Sequence, residues 1–236
     1  MNDGDHLPVA ILAGGLATRL YPDTRQIPKA MLTVAGKPFI AHQIRLLAGQ
    51  GYRRVVMCIG YLGEQIVDFL GDGSAFGVDI AYSREAPDNL LGTGGALRQA
   101  LDLLGDSFMI LYGDSYLPAP FGPAETHFRA SGALGLMTVF RNEGRWDTSN
   151  TLFRDGRIIR YAKSRPTPDM HYIDYGLGGF RREALARYEA GARFDLAEVY
   201  ATLAEQGNLA GFEVTERFYE IGSRQGLAET DAFLSR

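Results

Sequence analysis

The sequence predicts an α/β fold in which a mostly parallel, mixed β-sheet is flanked by helices. Short apolar runs alternate with amphipathic segments through the first half of the 236-residue chain. The apolar runs have the length of buried strands, and the segments between them have the period of helices. Strands that alternate with helices form right-handed βαβ units. We therefore expect ligands to bind beyond the carboxyl ends of these strands.

The elements of the first half follow from hydrophobic periodicity. The predicted strands are Val9–Ala13, Arg54–Ile59, Asp79–Ser83, Phe108–Tyr112 and Leu134–Phe140. The predicted helices are Ile40–Ala48, Gly63–Leu70, Thr93–Leu104 and Pro123–Ser131. This alternation predicts the parallel part of the sheet.

The second half has a different character, because Asp155-Gly156 lies between two apolar runs and predicts a β-hairpin. Its predicted strands are Leu152–Arg154, Arg157–Tyr161, Tyr172–Phe180, Leu209–Val214 and Phe218–Ile221. Its predicted helices are Arg181–Tyr188, Leu196–Gln206 and Gly226–Leu234. The sequence contains no repeat and no linker, so we expect one domain over residues 1–236.

Composition excludes several classes of protein. The chain is 46% hydrophobic with a net charge of −4, which suits one sizeable core and argues against a nucleic-acid partner. No apolar run approaches the roughly 20 residues of a membrane span. The first seven residues are polar and acidic, unlike a signal peptide. Cys58 is the only cysteine, so no intrachain disulfide forms, and we expect a cytoplasmic protein.

Two glycines, Gly14 and Gly15, end the first strand and open a loop that contains Thr18, Arg19 and, further on, Lys29. Glycine lets backbone N–H groups approach an anion closely, and the two cations can neutralise phosphate oxygens. The loop lacks the third glycine of a dinucleotide fingerprint and the Gly-Lys-Ser/Thr of a Walker loop. An ordinary strand-to-helix turn explains two glycines alone, but the whole pattern predicts a nucleoside triphosphate site.

Asp114 directly follows the buried strand Phe108–Tyr112. A carboxylate at this place either caps a turn or binds a metal, and the sequence alone leaves both interpretations open. With a triphosphate nearby, a Mg²⁺ ligand is the better interpretation, because Mg²⁺ binds one or two carboxylates together with phosphate oxygens and waters.

These motifs resemble the signature of the sugar-1-phosphate nucleotidyltransferases, also called NDP-sugar pyrophosphorylases. The resemblance is carried by Gly14-Gly15-Leu16-Ala17-Thr18-Arg19-Leu20-Tyr21-Pro22, Pro28-Lys29-Ala30-Met31, Leu91-Gly92-Thr93-Gly94-Gly95-Ala96, Tyr112-Gly113-Asp114-Ser115 and Tyr219-Glu220-Ile221-Gly222-Ser223. The chain is most similar to the compact members, namely heptose- and mannose-1-phosphate guanylyltransferases and N-acetylmuramate-1-phosphate uridylyltransferase.

The resemblance implies a Rossmann-like, glycosyltransferase-A-like fold with a small sugar-facing lobe. Residues 1–140 would mainly bind nucleotide, and residues 141–236 would mainly bind sugar. The implied reaction converts a nucleoside triphosphate and a sugar 1-phosphate into an NDP-sugar and pyrophosphate, with Mg²⁺ as cofactor. We expect guanylyl transfer to a heptose or mannose 1-phosphate. The alternatives are uridylyl transfer to an amino-sugar 1-phosphate and a non-catalytic regulatory subunit, and a homodimer is one expected assembly.

The resemblance also assigns roles to residues. Arg19, Lys29 and Lys163 are the expected catalytic cations, and Asp114 and Glu220 are the expected metal ligands. The expected nucleotide-binding residues are Leu12, Ala13, Gly14, Gly15, Thr18, Glu85, Gly92, Thr93 and Gly94. The expected sugar-binding residues are Tyr112, Trp146, Asn150, Asp174 and Gly176.

The chain departs from the family pattern at four places. Glu220 replaces an aspartate, Ala162 replaces the glutamate before Lys163, and Asp174 replaces an asparagine. The run Trp146-Asp147-Thr148-Ser149-Asn150 stands where many relatives have a Tyr-Gly pair that contacts the sugar. Glu85 is an acceptor only, so it suits a base with a ring N–H, which guanine and uracil have and cytosine and adenine lack. A solvated loop glutamate is the alternative at that position.

Overall fold

The computed structural model describes residues 6–146, 148–163 and 165–236, apart from the side chain of Arg19. Its strands are β1 (Val9–Leu12), β2 (Thr33–Val34), β3 (Lys37–Pro38), β4 (Arg54–Ile59), β5 (Asp79–Arg84), β6 (Ser107–Tyr112), β7 (Ser115–Tyr116), β8 (Gly135–Arg141), β9 (Thr151–Arg154), β10 (Arg157–Tyr161), β11 (Tyr172–Arg181), β12 (Leu209–Val214) and β13 (Tyr219–Glu220). Its α-helices are α1 (Phe39–Gly49), α2 (Glu64–Leu70), α3 (Gly92–Leu104), α4 (Gly122–Ser131), α5 (Arg182–Ala186), α6 (Leu196–Glu205) and α7 (Arg224–Leu234).

Across the described residues, nine strands form one mixed sheet in the order β5-β4-β1-β6-β11-β8-β12-β10-β9. The first four of these strands run parallel to one another. Strand β11 runs antiparallel to both of its neighbours, β6 and β8, and β12 runs parallel to β8. The predicted α/β fold with a mixed, helix-flanked sheet is confirmed.

The two faces of the sheet bury alternate residues of each strand, as the strand period of two requires. In β6, Met109 and Leu111 pack with α1, α2 and α4 on one face, whereas Phe108 and Ile110 pack with α3, α5 and α6 on the other. All four side chains are fully buried. Burial of each stabilises the fold by about 1.5–3 kcal/mol. The result is a three-layer molecule with a core on each side of the sheet.

Most predicted elements are present, but the end of β11 shifts the helix expected over Arg181–Tyr188. Arg181 still pairs with Ser107 in the sheet, so helix α5 begins only at Arg182 and ends at Ala186. The strand expected over Phe218–Ile221 is limited to Tyr219–Glu220. The short strands β2, β3 and β7 have two residues each, too few to give a periodic signal.

Strand β11, from the second half of the chain, lies between β6 and β8 from the first half. The halves therefore share one sheet, and the small two-stranded sheet β7–β13 joins them again at its carboxyl edge. No helix among the described residues is long and apolar enough to cross a membrane.

Candidate active site

The glycine loop follows β1 at the carboxyl edge of the sheet, between β4 and β6. It is fixed at its start, where the Ala13 N–H donates to the Cys58 carbonyl at 2.8 Å. Ala17 adopts the left-handed conformation with φ of 50° before a short 3₁₀ turn over Thr18–Leu20. In the described part of the chain, the backbone N–H groups of Gly15, Leu16 and Ala17 donate to no other group. Such a row of free N–H groups is suited to an anion.

A cavity of about 370 Å³ opens beside this loop. It collects most of the predicted nucleotide-binding residues at the ends of three elements, β1, β6 and the start of α3. Its lining includes Leu12, Ala13, Gly14, Gly15, Glu85, Gly92, Thr93, Tyr112, Asp114 and Lys29. Thr18 lies just outside it, in a neighbouring depression that Lys29 and Gly222 also line. The side chain of Arg19 lies outside the described residues.

Glu85 is a buried carboxylate in this cavity, at 8% exposure. Its Oε1 accepts the Leu91 N–H at 2.6 Å. Its Oε2 faces Gly14, where a Cβ atom would approach it to 2.6 Å, so a larger residue at position 14 would have to displace the carboxylate. Burial raises the pKa of Glu85 above its ordinary value. One oxygen thus fixes the carboxylate, and the other is directed to the place where the cavity meets the glycine loop.

The glycines at the start of α3 have a packing role that the sequence did not reveal. A Cβ at Gly94 would lie 2.3 Å from the ring of Phe194, and the Phe194 carbonyl accepts the Gly94 N–H at 3.1 Å. Gly94 is therefore placed against Phe194 and does not line the cavity. Thr93 lines it, but its Oγ1 accepts the Leu196 N–H at 2.9 Å. The Thr93 hydroxyl and the Gly94 N–H are thus both engaged by neighbouring residues of the protein.

Asp114 and Glu220 are brought together by the β7–β13 pair, in which Glu220 lies opposite Ser115. The Ile221 N–H also donates to the Asp114 carbonyl at 2.9 Å. A Cβ built on Gly222 would lie 2.9 Å from Glu220 Oε2 and 3.5 Å from Asp114 Oδ2. Two carboxylates thus face one small space that glycine leaves open. The longer side chain of Glu220 reaches the same space as Asp114.

A second cavity, of about 540 Å³, lies on the other side of Asp114. It contains three of the five predicted sugar-binding residues, Trp146, Asn150 and Asp174, together with both expected metal ligands. Tyr112 instead lines the first cavity, beside the glycine loop, and contacts Asp174 through its hydroxyl at 3.4 Å. Gly176 lies behind the wall of the second cavity, where its N–H donates to Asp174 at 2.9 Å. Of the residues that the structure describes, Asp114 alone lines both cavities.

Arg217 is a residue of the second cavity that the sequence did not single out. Its guanidinium carbon lies 3.8 Å from the centre of the Trp146 ring and 4.8 Å from that of Tyr219. Glu229 pairs with its terminal nitrogen. Stacking between two rings holds a guanidinium rigidly, which favours recognition of a planar anion. No local motif marks this arginine, because the Trp146 ring comes from a distant segment of the chain.

Lys163 does not line the second cavity. Its ammonium pairs with Asp195 at 3.0 Å, in a groove between β10 and α6, and its side chain is 61% exposed. Asp195 also accepts from Thr93 Oγ1 at 3.2 Å and caps α6 with a capping box. An exposed pair of this kind contributes little stability, so the lysine can leave it at small cost.

Asp174 keeps a carboxylate in a partly buried position on the wall of the second cavity, where the family pattern has an amide. Burial raises its pKa from the usual value to about 6, although the Gly176 N–H and the Tyr112 hydroxyl favour its charged form. At neutral pH the folded protein therefore holds the poorly solvated negative charge of Asp174 at the second cavity.

Replacing Asp174 with asparagine is expected to raise the free energy of unfolding by up to about 3 kcal/mol at pH 8 and by about half as much at pH 5. The raised pKa means that the aspartate destabilises the fold progressively as the pH rises from about 4 through 6. Urea unfolding at the two pH values measures the difference. Asp169→Asn is the control of opposite sign, because the Thr167 hydroxyl lowers the pKa of Asp169. A pH-independent gain from Asp174→Asn would contradict the prediction.

The nucleotidyl transferase family model matches residues 9–149, which is more than half of the chain. The chain belongs to this family. The predicted membership in the sugar-1-phosphate nucleotidyltransferases is confirmed, and with it the predicted enzyme class. The matched range contains the glycine loop, Lys29, Glu85 and Asp114, so it includes most residues that line the first cavity, beside the glycine loop.

Two relatives extend the match over nearly the whole chain. N-acetylmuramate alpha-1-phosphate uridylyltransferase from Neisseria meningitidis is 34% identical over 228 residues, covering 94% of this chain and 96% of that protein. The catalytic subunit beta of mannose-1-phosphate guanylyltransferase from Drosophila pseudoobscura pseudoobscura is 30% identical over 224 residues. That match covers 93% of this chain but only 60% of the longer protein.

Solved structures confirm the fold of this nucleotidyl transferase. A Bacillus anthracis protein crystallised with sucrose superposes with a TM-score of 0.84 at 22% identity, covering 97% of this chain and 95% of that one. HddC from Yersinia pseudotuberculosis, crystallised with GMP-PN, superposes with a TM-score of 0.78 at 21% identity, covering 97% and 99%.

Proposed function

We propose that this protein transfers a uridylyl group from UTP to the phosphate of a sugar 1-phosphate in a Mg²⁺-dependent reaction. The observation that carries the proposal is the position of Asp114 at the junction of two cavities. One cavity adjoins a loop with free N–H groups, and the other is polar with aromatic walls. The sugar phosphate would attack the α-phosphorus at this junction, and the bond between the α- and β-phosphates would break to release pyrophosphate.

The residues at the junction fit a Mg²⁺ ion. Asp114 and Glu220 supply carboxylate oxygens that face one space, and Mg²⁺ completes such a site with phosphate oxygens and waters. Bound there, the metal would neutralise phosphate charge during transfer. The protein's own contribution is positioning, because the glycine loop and Lys29 would face the leaving pyrophosphate. Arg19 is proposed as a further cation that binds this pyrophosphate. Preorganised charges of this kind supply most of the catalysis in phosphoryl-type transfer.

The position of Glu85 favours a nucleotide substrate whose base carries a ring N–H. Its outward oxygen can accept the N3–H of uracil or the N1–H of guanine, but it has no donor to match in cytosine or adenine. The uridylyltransferase relative matches this chain over almost its full length, whereas the guanylyltransferase relative matches over 60% of its own. This difference favours uridylyl transfer over the guanylyl transfer expected from the sequence. Guanylyl transfer to mannose 1-phosphate is the second candidate, supported by the latter relative.

We propose that the second cavity, here called the sugar cavity, binds the acceptor, and its lining favours an acidic sugar. Arg217, held between Trp146 and Tyr219, offers a rigid guanidinium, and Arg145 lines the same cavity. Muramate is a sugar acid, and a stacked arginine is suited to a carboxylate. Lys163 is proposed to hold the attacking phosphate after it leaves Asp195. We also propose that residues 1–140 mainly bind the nucleotide and residues 141–236 mainly bind the sugar, which the residues lining the two cavities support.

The proposal is tested by a matrix of UTP or GTP against N-acetylmuramate, N-acetylglucosamine and mannose 1-phosphates. Pyrophosphate release is followed continuously, and the NDP-sugar is identified by mass spectrometry. We expect the highest kcat/KM for UTP with N-acetylmuramate 1-phosphate, and loss of turnover with EDTA. Preference for GTP with mannose 1-phosphate would establish the second candidate. Tight binding of an NDP-sugar without turnover of any pair would instead indicate a regulatory subunit.

Replacing Arg217 with glutamine is expected to lower kcat/KM for the sugar-acid phosphate by about 10- to 100-fold, because a hydrogen bond to a charged group is lost. A neutral sugar 1-phosphate should react almost as before. Steady-state kinetics with both acceptors measure the ratio. Arg217→Lys, which keeps the charge, should recover part of the preference. Equal losses for the acidic and neutral sugars would show that Arg217 only supports the cavity wall.

A further inference from the structure

Lys29 and Asp114 form a short ion pair at the junction of the two cavities. Lys29 Nζ lies 2.6 Å from Asp114 Oδ2, and the side chains are only 26% and 33% exposed. Lys29 begins a short 3₁₀ turn after Pro28 and also lines the depression beside Thr18. The ammonium can therefore reach both the carboxylate and the region of the glycine loop.

The ammonium lies in the space that the two carboxylates face. A Cβ on Gly222 would lie 3.8 Å from Lys29 Nζ and 3.5 Å from Asp114 Oδ2. The second carboxylate is also satisfied within the protein, because Glu220 accepts the Gly222 N–H and, at 2.6 Å, the Ser223 hydroxyl. Among the described residues, Lys29 is the cation that forms an ion pair with Asp114.

We propose that Lys29 competes with the divalent cation for Asp114, so that metal and triphosphate bind together rather than separately. The proposal rests on the proposed function, because it needs a triphosphate beside the glycine loop. A Mg²⁺ ion approaches its oxygen ligands to about 2.0–2.1 Å, so a metal on Asp114 Oδ2 and an ammonium on the same oxygen would repel each other as like charges at short distance. Without an anion, displacing Lys29 leaves an unpaired cation in a partly buried position, which opposes metal binding.

A triphosphate removes this opposition by giving Lys29 a new partner. Lysine carries its charge on a flexible four-carbon chain, so the ammonium can turn from Asp114 to a phosphate oxygen without movement of the backbone. Asp114 then becomes free for the metal. Each ligand thereby strengthens the binding of the other by the same factor, as linkage requires. The site should therefore bind metal weakly until the nucleotide arrives.

The test measures Mn²⁺ binding to the nucleotide-free protein by electron paramagnetic resonance, which reports free Mn²⁺. We expect Lys29→Met to bind Mn²⁺ at least tenfold more tightly than the wild type. Lys29→Arg should stay as weak as the wild type, because arginine keeps the charge and pairs well with a carboxylate. Lys37→Met, which removes a surface lysine on β3, controls for the general change in net charge. Lys29→Gln repeats the test with a polar side chain, and thermal unfolding verifies that each variant is folded.

The outcomes separate this inference from the proposed function. If Lys29→Met binds Mn²⁺ no more tightly than the wild type, while Asp114→Asn weakens binding, the competition is refuted and the metal site remains. If neither the wild type nor Lys29→Met binds Mn²⁺, the competition is refuted as well. Absence of turnover by the wild type with Mg²⁺ and UTP would, separately, refute the proposed function.

Discussion

Replacing Asp114 with asparagine is expected to lower kcat/KM for NDP-sugar formation by about a thousandfold, the upper range for loss of one preorganised charge contact. Asparagine keeps the size of the side chain but removes the charge at the junction of the two cavities. Among the described residues, Glu220 is the carboxylate that would remain at the proposed metal site, so half of the negative charge that the protein offers there is lost. Steady-state pyrophosphate release at saturating Mg²⁺ and sugar phosphate measures the effect.

Asp102→Asn is the matched control for this substitution. Asp102 forms an ion pair of the same 2.6 Å length with Arg182, but its side chain is 90% exposed and it lines neither cavity. Its replacement should leave kcat/KM unchanged. The proposed role of Asp114 is refuted if both variants lose activity equally or if Asp114→Asn turns over at the wild-type rate.

Replacing Lys29 with alanine is expected to lower kcat by about 100- to 1000-fold, as for other groups that stabilise charge on a departing oxyanion. The expected reason is loss of the ammonium beside the glycine loop, where charge accumulates on the leaving pyrophosphate. In the reverse direction, KM for pyrophosphate should rise for the same reason. Rates in both directions, with UTP and with pyrophosphate as the varied substrate, measure the two effects.

Lys37→Ala is the control for Lys29→Ala, because Lys37 lies on the surface in β3. It should retain wild-type rates in both directions. A Lys29→Ala enzyme with normal kcat and normal KM for pyrophosphate would remove Lys29 from the reaction. Lys29 is also proposed to compete with the metal. Replacing it should therefore lower turnover but strengthen the binding of Mn²⁺ in the absence of nucleotide.

The sequence predicted the parts of the site that lie within single segments. The glycine loop and Asp114 each follow a buried strand of the parallel part of the sheet, and β1 and β6 are neighbours. Because the carboxyl ends of parallel strands share an edge, two motifs about a hundred residues apart could be placed together. Glu85, which the sequence singled out only as an acceptor ahead of the Leu91–Ala96 loop, follows β5 at the same edge.

The sequence could not predict contacts that depend on pairing between distant segments. The position of Glu220 depends on the two-residue ladder with β7, which is too short to leave a pattern. Arg217 is defined by two rings 71 and 2 residues away along the chain. Lys163 was expected at the sugar phosphate, but its partner Asp195 becomes a neighbour only when α6 packs beside β10. The site residues and the single-domain assignment remain predictions that the geometry supports.

Strand β11 has a consequence for how such proteins diversify. Its residue Asp174 lines the second cavity, and the strand pairs with β6, which ends two residues before Asp114. If the second cavity binds the acceptor, as we propose, the acceptor-binding part of the sheet cannot be exchanged as a module apart from the donor-binding part. A change of acceptor must come from substitutions on a common framework, and each has to remain compatible with the catalytic strand beside it.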